Sequence, residues 1–496
     1  MELFLKEVIQ PVLENVVRFK ESNAFLINEK SYTYREFGEC ISMIRLSLME
    51  SNCKNSNVGL VLNDDLQTYA SIFALWLENK AYVPLHPNWP LDRVKDIVDQ
   101  VDLDLILDSS VESRFDDSLV INTGTLTFTK NYFDIKSDYS NQNELAYILF
   151  TSGSTGKPKG VQLTKHNVGF FMDSFWKTGI IITNTDRCLQ CFDLSFDVSV
   201  QGYLVALTKG ACCYTVPYGQ IKYIYAGGLI DRYKLTFGAM APSMLRYLKP
   251  YFDEIDATSL KTCILTAEAC PLDLMEDWFK VALNTDIYDF YGPTECTIYA
   301  TYYKVQRDKM NKTHNGIISI GKPFVNVGTM IIDEEGKEVE PGQKGELCLS
   351  GGQLTLGYWM NEEKNREAFF IKDGLRWYHT GDICYTIGDD IMYAGRLDAQ
   401  AKIQGFRVEL GEIEYHARQY SNVNCVALAF ENADNLTEIA LFLEKDQEET
   451  SSLISYLRTK MPHYMIPSKY YYVPKFPLNG NDKVDKPKLK TFITTE

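Results

Sequence analysis

Apolar residues in the first half of the chain follow two alternating spacings. NVGLVL (57–62), AYVPL (81–85) and LDLIL (103–107) are short continuous apolar runs, whereas TYASIFALWLENK (68–80) and LDRVKDIVDQ (91–100) repeat every three to four residues. Strand runs alternating with amphipathic helices predict an α/β fold in which helices cover mostly parallel sheets. At the N-terminus, Leu5, Val8, Ile9 and Val12 share one face and predict an amphipathic helix. From about Ile317 the texture changes to Gly-rich turns between short β runs, with TMIIDEEGKEVEPGQKGELCLSG (329–351) reading as a hairpin. Beyond GRLDAQAK (395–402), CVALAF, IALFLE, SSLISYLRTKM and KYYYVP read as strand, strand, helix and strand, a small α+β unit. The expected division is a core over 1–397, with a β subdomain at about 317–397, and a C-terminal domain over 398–496.

Composition narrows the function classes. The chain has 496 residues, 45% hydrophobic, enough for two to four domains of about 100–200 residues each. Acidic residues outnumber basic ones 66 to 50, a net charge of −16, which argues against a nucleic-acid partner because phosphate-backbone affinity comes mainly from Lys and Arg. No window approaches the roughly 18 consecutive apolar residues of a membrane span, and the acids and Pro of the first helix interrupt any export signal. Membrane insertion is not expected. Twelve scattered cysteines fit reduced thiols in a cytoplasmic protein. Cys188 and Cys191 form a lone CxxC in a chain with only 6 His, so buried thiols are expected there rather than zinc.

One segment concentrates chemistry. The strand-like LAYILF runs into TSGSTGKPKG (151–160) and then into VQLTKHNVGFFMDSFW (161–176), which has helical spacing, giving a strand, a loop and a helix. Gly153, Gly156 and Gly160 let the backbone bend and present N–H groups. Thr151, Ser152, Ser154 and Thr155 add hydroxyls, and Lys157 and Lys159 add positive charge, all suited to a polyphosphate. A nucleotide P-loop does not fit, because only two residues separate Gly153 from Gly156 and Pro158 follows Lys157.

YILFTSGSTGKPKGVQLTKHNV resembles the signature of the adenylate-forming (AMP-binding) superfamily, which contains acyl-CoA synthetases, luciferases and amino-acid adenylation domains. The resemblance continues in order through NKAYVPLHPNWP, CFDLSFDVSV, YGPTECT, GELCLSGGQLTLGYW, YHTGDICY, GRLDAQAKIQGFRVELGEIE and NGNDKVDKPKL. It implies that ATP and Mg²⁺ are used to convert a carboxylate to an adenylate with release of pyrophosphate, followed by transfer to a thiol. Two anions must then meet, so positive charge is needed at the centre. Lys483 matches the lysine that bridges substrate and adenylate in this family, although Asn481 and Asp482 intervene between it and the Asn-Gly pair it usually follows. Tyr291 is suited to stacking on adenine after the turn of Gly292 and Pro293, and Glu295 to holding Mg²⁺. The resemblance also assigns Asp289, Phe290 and Thr294 to the nucleotide, Asp382 to the ribose hydroxyls, and Tyr393, Ala394, Gly395 and Arg396 to the nucleotide's flank. Asp398 takes the hinge position, and Gly405 and Arg407 face the incoming pantetheine thiol.

The same resemblance bears on the acid activated. Asp197 in CFDLSFDVSV matches the aspartate that pairs with a substrate α-ammonium in amino-acid adenylation domains, with Asp193 in a similar frame as the alternative. Val198, Gln201, Ala239, Thr266, Phe290, Ile298 and Tyr299 match the remaining pocket positions, and none is charged. Bulky Phe290 and Tyr299 favour a small neutral amino acid. The plan resembles D-alanine:carrier-protein ligases, but Thr266 stands where they commonly have Cys and Ala267-Glu268 replaces their Gly-Glu. D-alanine leads, with L-proline, glycine and alanine open. No GGxS-like attachment site lies in a carrier-sized domain, so a phosphopantetheinylated carrier protein is expected in trans. An acyl- or aryl-CoA synthetase and a noncatalytic nucleotide-binding relative are the competing readings.

Overall fold

The computed structural model describes residues 2–51, 53–126, 144–153, 157–307, 309–397, 400–446, 449–477 and 484–493. The chain separates into two compact units, one formed by Met1–Pro87, Val101–Leu149 and Gly160–Gly395, the other by Asn88–Gln100, Phe150–Lys159 and Arg396–Glu496.

Among the described residues, three large sheets and the two-stranded pair Thr313–His314 and Ile317–Ile318 build the larger unit. The largest has nine strands in the spatial order Lys322–Pro323, Thr301–Lys304, Asp286–Tyr291, Thr262–Thr266, Phe237–Met240, Arg187–Gln190, Cys212–Thr215, Asn23–Ile27 and Lys30–Thr33. Its six inner strands from Asp286–Tyr291 to Asn23–Ile27 pair in parallel, and antiparallel strands close both sides. A seven-stranded sheet includes the predicted runs Asn57–Val61 and Ala81–Leu85, each buried at every position, as continuous apolar strands covered on both faces should be. The covering helices start where the sequence supplies caps: Thr33 and Glu36 form a reciprocal capping box for Tyr34–Glu50, and Asp65 caps Leu66–Leu77. The N-terminal helical stretch buries Val8, Ile9 and Val12, and Phe4 meets Trp76 edge to face at 5.4 Å.

The third sheet holds Val327–Ile332, Gly345–Gly351, Leu375–Ile387 and Phe369–Lys372, with Asp390–Arg396 also paired to Leu375–Ile387. The predicted hairpin forms in antiparallel register from Val327↔Gly351 to Ile332↔Glu346. In the smaller unit, Cys425–Glu431, Thr437–Leu443 and Lys469–Tyr472 make a three-stranded sheet, and the helices Leu410–Ser421 and Ser451–Lys460 contribute Ile413, Ala417, Leu453 and Leu457 to its core.

One element begins later than its spacing predicts. VQLT after the glycine loop belongs to the strand Lys159–Thr164, and the helix starts only at Lys165. Val161 and Leu163 alternate inward, and Thr164 and Asn167 form a capping box that marks the true helix start. Among the described residues no helix is long and apolar enough to cross a membrane. All twelve cysteines are free thiols; Cys188 and Cys191 are buried, and the Cys191 thiol donates to the Ala239 carbonyl at 3.2 Å.

Candidate active site

In an open parallel sheet, ligands collect at the carboxyl ends of the strands. Ala239, Thr266 and Phe290 lie at or next to the carboxyl ends of three adjacent strands, with Thr266 directly opposite Phe290. Facing them, Asp197 precedes the helix Val198–Leu207, and Gln201 lies one turn along it. Tyr299 joins the two walls: its ring meets Phe290 edge to face at 5.0 Å, and its hydroxyl donates to Gln201 Oε1 at 3.3 Å. Gln201 is fully buried, and its amide nitrogen has no hydrogen-bond partner among the described residues. A buried amide without an acceptor is costly unless something else supplies one.

The two aspartates of CFDLSFDVSV have opposite surroundings. Asp193 Oδ2 lies 2.8 Å from His86 Nε2, and its Oδ1 accepts from the Ser195 amide and hydroxyl. Against the cost of burial, these partners hold its carboxyl well below the usual carboxylate range. Asp197 accepts from the Ile298 amide at 3.3 Å and has no cationic partner among the described residues. Burial, reinforced by the charge of Glu295 and only partly offset by hydrogen bonds from Thr294 and Ile298, pushes its carboxyl up to about 6. Of the pair, Asp197 is the carboxylate that lacks a counter-ion.

The segment 294–299 carries several of these contacts and is held by a residue the sequence did not single out. Thr297 and Ile298 have positive φ of 51° and 71°. The fully buried Gln353 side-chain amide donates to the carbonyls of Cys296, Thr297 and Tyr299, and the Gln353 backbone carbonyl accepts from the Thr297 hydroxyl. Gly292 is required beneath this loop, because a Cβ there would lie 2.4 Å from the Ile298 carbonyl oxygen. Glu295 is fully buried, with Oε1 accepting from the Tyr358 hydroxyl at 2.7 Å.

Next to this loop, the Tyr291 hydroxyl donates to Asp382 Oδ2 at 2.5 Å. Asp382 is itself buried, and its amide donates to the Thr380 hydroxyl. Tyr393, Ala394 and Gly395 follow on the neighbouring strand, with Gly395 at a φ of 128°. The larger unit therefore ties Asp197 and Gln201 to the segment 294–299, with Glu295 near Asp197, and links Tyr291 to Asp382.

The smaller unit holds the other predicted groups. Ser152 and Gly153 follow the strand Leu145–Thr151, and a Cβ on Gly153 would lie 2.0 Å from the Lys157 carbonyl oxygen, so only glycine fits. The Gly153 amide donates to Glu412 Oε2 at 2.9 Å, and Glu412 Oε1 accepts from Arg93 at 2.6 Å. Lys159 pairs with Glu409 at 3.3 Å. Gln400 Oε1 accepts from both Arg396 and Arg407 at 2.8 Å. Gly405, at φ 83°, completes with Gln404 the two-residue turn of the hairpin Gln400–Ile403/Phe406–Glu409. Ser154, Thr155, Gly156, Asp398 and Lys483 lie outside the described residues.

The family model for "AMP-binding enzyme" matches residues 13–359. The chain belongs to this family. It is 29% identical over 495 residues to tyrocidine synthase 2 of Brevibacillus parabrevis, an alignment that covers 97% of this chain and 13% of that protein. It therefore spans a small part of that relative's length. D-alanine--D-alanyl carrier protein ligase of Bacillus licheniformis is 27% identical over 512 residues, covering 97% of this chain and 99% of that protein. The fold matches the crystal structure of the Vibrio cholerae adenylation domain AlmE in complex with glycyl-adenosine-5'-phosphate, with a TM-score of 0.85, 24% identity and 97% coverage of both chains.

Proposed function

We propose that this AMP-binding enzyme activates a small neutral amino acid, with D-alanine the first candidate. It forms an aminoacyl adenylate from ATP, releases pyrophosphate, and passes the aminoacyl group to the phosphopantetheine thiol of a separate carrier protein. The observation that carries this reading is Asp197, a buried carboxylate at a helix start without a cationic partner among the described residues, a site made for an ammonium group. An acyl or aryl acid brings no cation to meet it. Support comes from the D-alanine ligase relative, aligned over nearly all of both chains, and from the glycyl adenylate held by AlmE.

In this reading Asp197 orients the α-ammonium, and Phe290 and Tyr299 limit the side chain to a small one. Tyr291 and Asp382 hold the nucleoside, Ser152, Gly153 and Lys157 approach the phosphates, and Lys483 bridges the carboxylate and the α-phosphate. Glu295 suits Mg²⁺: a single buried carboxylate, already oriented by Tyr358, matches an ion held mostly by phosphate oxygens and water. When bound, Mg²⁺ would offset charge on the triphosphate. Residues 398–496 would turn about Asp398 between the two half-reactions, bringing Gly405 and Arg407 to the thiol.

ATP–pyrophosphate exchange across glycine, D- and L-alanine, L-proline and amine-free acids tests the proposal. Exchange is expected with a small neutral amino acid and should be lost in Asp197→Asn. Exchange driven by an acid that lacks an amine and insensitive to Asp197→Asn would overturn it.

A further inference from the structure

Outside the adenylation machinery, the β sheet built on the 345–351 hairpin strand gathers three metal-ligating side chains. Glu346 and Cys348 are two apart on the strand Gly345–Gly351 and so share a face. Cys348 lies directly opposite His379 on Leu375–Ile387 and Glu346 opposite Ile383, so the register shifts between the two pairs through extra residues on Leu375–Ile387. His379 Nδ1 is 2.7 Å from Glu346 Oε2 and 3.8 Å from Cys348 Sγ. One ligand atom from each of the three falls within 4.8 Å of the others.

We propose that Glu346, Cys348 and His379 form a binding site for a divalent transition metal of the zinc class. Thiolate, imidazole and carboxylate are the donors zinc takes, and three protein ligands leave a fourth position for water. Tetrahedral zinc with ordinary bond lengths sets S···N at about 3.6 Å and N···O at about 3.3 Å, within about 0.2 and 0.6 Å of the two distances to His379 Nδ1. The carboxylate is positioned from behind, since the Gly381 amide donates to Glu346 Oε1 at 2.8 Å. The Phe370 ring packs against His379 with centroids 4.5 Å apart, fixing the imidazole. The thiol forms a buried floor packed with Met330 and Ile332, while the His379 side chain is 33% exposed and leaves an entry path. Burial and the charge of Glu346 push the Cys348 thiol up, only partly offset by Lys372, whose ammonium donates to Met330 Sδ at 3.3 Å, so deprotonation comes with metal binding. On loading, the metal takes the place of the Cys348 thiol proton, which passes to solvent, and accepts the lone pair of His379 Nδ1 while the neutral ring keeps its one proton on Nε2.

The test is titration of chelator-treated full-length protein with Co²⁺ and then Zn²⁺, read by thiolate-to-cobalt charge-transfer absorption and by metal stoichiometry. One equivalent with a charge-transfer band, displaced by Zn²⁺, is expected. The band should disappear in Cys348→Ser, and Zn²⁺ affinity should fall by more than about 100-fold, beyond the loss of an outer-shell partner. It should persist in Cys53→Ser, the control at a half-exposed thiol. If Cys348→Ser does not fold, His379→Gln at the partly exposed rim serves instead and should weaken binding likewise. No binding, binding without the band, or binding indifferent to both variants overturns the proposal.

Discussion

At Asp197 the elevated carboxyl makes a prediction with a definite sign. With a value of about 6 in the free protein, the carboxylate is protonated below that pH and cannot pair with an ammonium. kcat/KM for the amino acid should therefore rise about tenfold per pH unit up to about 6 and then level off. Asp197→Asn should lose this limb together with about 2–5 kcal/mol of substrate stabilisation, roughly 30-fold to several-thousand-fold. Initial rates of pyrophosphate exchange from pH 5 to 8 check both outcomes, and a flat wild-type profile would count against Asp197. A second buried acid acts on stability alone. Burial raises Asp64 to about 7, only partly offset by the Tyr69 hydroxyl at 3.2 Å, and Asp64 Oδ2 has no partner among the described residues. Because the folded value lies above the unfolded one, this residue favours folding below pH about 4, and that advantage is lost as pH rises to about 7. Asp64→Asn should gain up to about 4 kcal/mol at pH 8 and almost nothing at pH 4. Asn also tolerates the φ of 50° at this position. Urea unfolding at the two pH values measures the difference.

At the scale of elements, the loop 294–299 has two left-handed residues and depends on Gln353 for three of its carbonyls. Gln353→Ala should cost about 1–3 kcal/mol by leaving buried acceptors unpaired. Because Ile298 also donates to Asp197, the amino-acid KM should rise as well. Calorimetry and exchange kinetics together check this, and lowered stability with an unchanged KM would confine Gln353 to folding. What the sequence made legible follows the reach of its patterns. Continuous apolar runs such as Asn57–Val61 and the hairpin at Val327–Gly351 read correctly, because periodicity and turn chemistry are local. VQLT was misjudged because its neighbours share helical spacing, and only the Thr164–Asn167 cap fixes the boundary. Asp193 and Asp197 look alike in sequence; what separates them is His86, which arrives from a distant strand end. Gln353 and the Arg93–Glu412 pair, 319 residues apart, left no local signal because each is defined by its partner in space.

For the whole molecule, a net charge of −16 means that the positive charges needed for the proposed reaction of two anions must be local. In the smaller unit some of these charges are already engaged: Lys159 pairs with Glu409, Arg396 and Arg407 share the Gln400 carbonyl, and the Gly153 amide is bonded to Glu412. If residues 398–496 present Lys483 for adenylation and Gly405 with Arg407 for thiol transfer, the two activities should be separable. Lys483→Ala should lower pyrophosphate exchange by about 10²–10³-fold, the usual cost of removing one preorganised charge from a transition state. The same variant, given pre-formed aminoacyl adenylate and carrier protein, should form the thioester within a few-fold of wild type. Equal loss in both assays would mean that one fixed arrangement serves both steps, and turning about Asp398 would then have no part in catalysis.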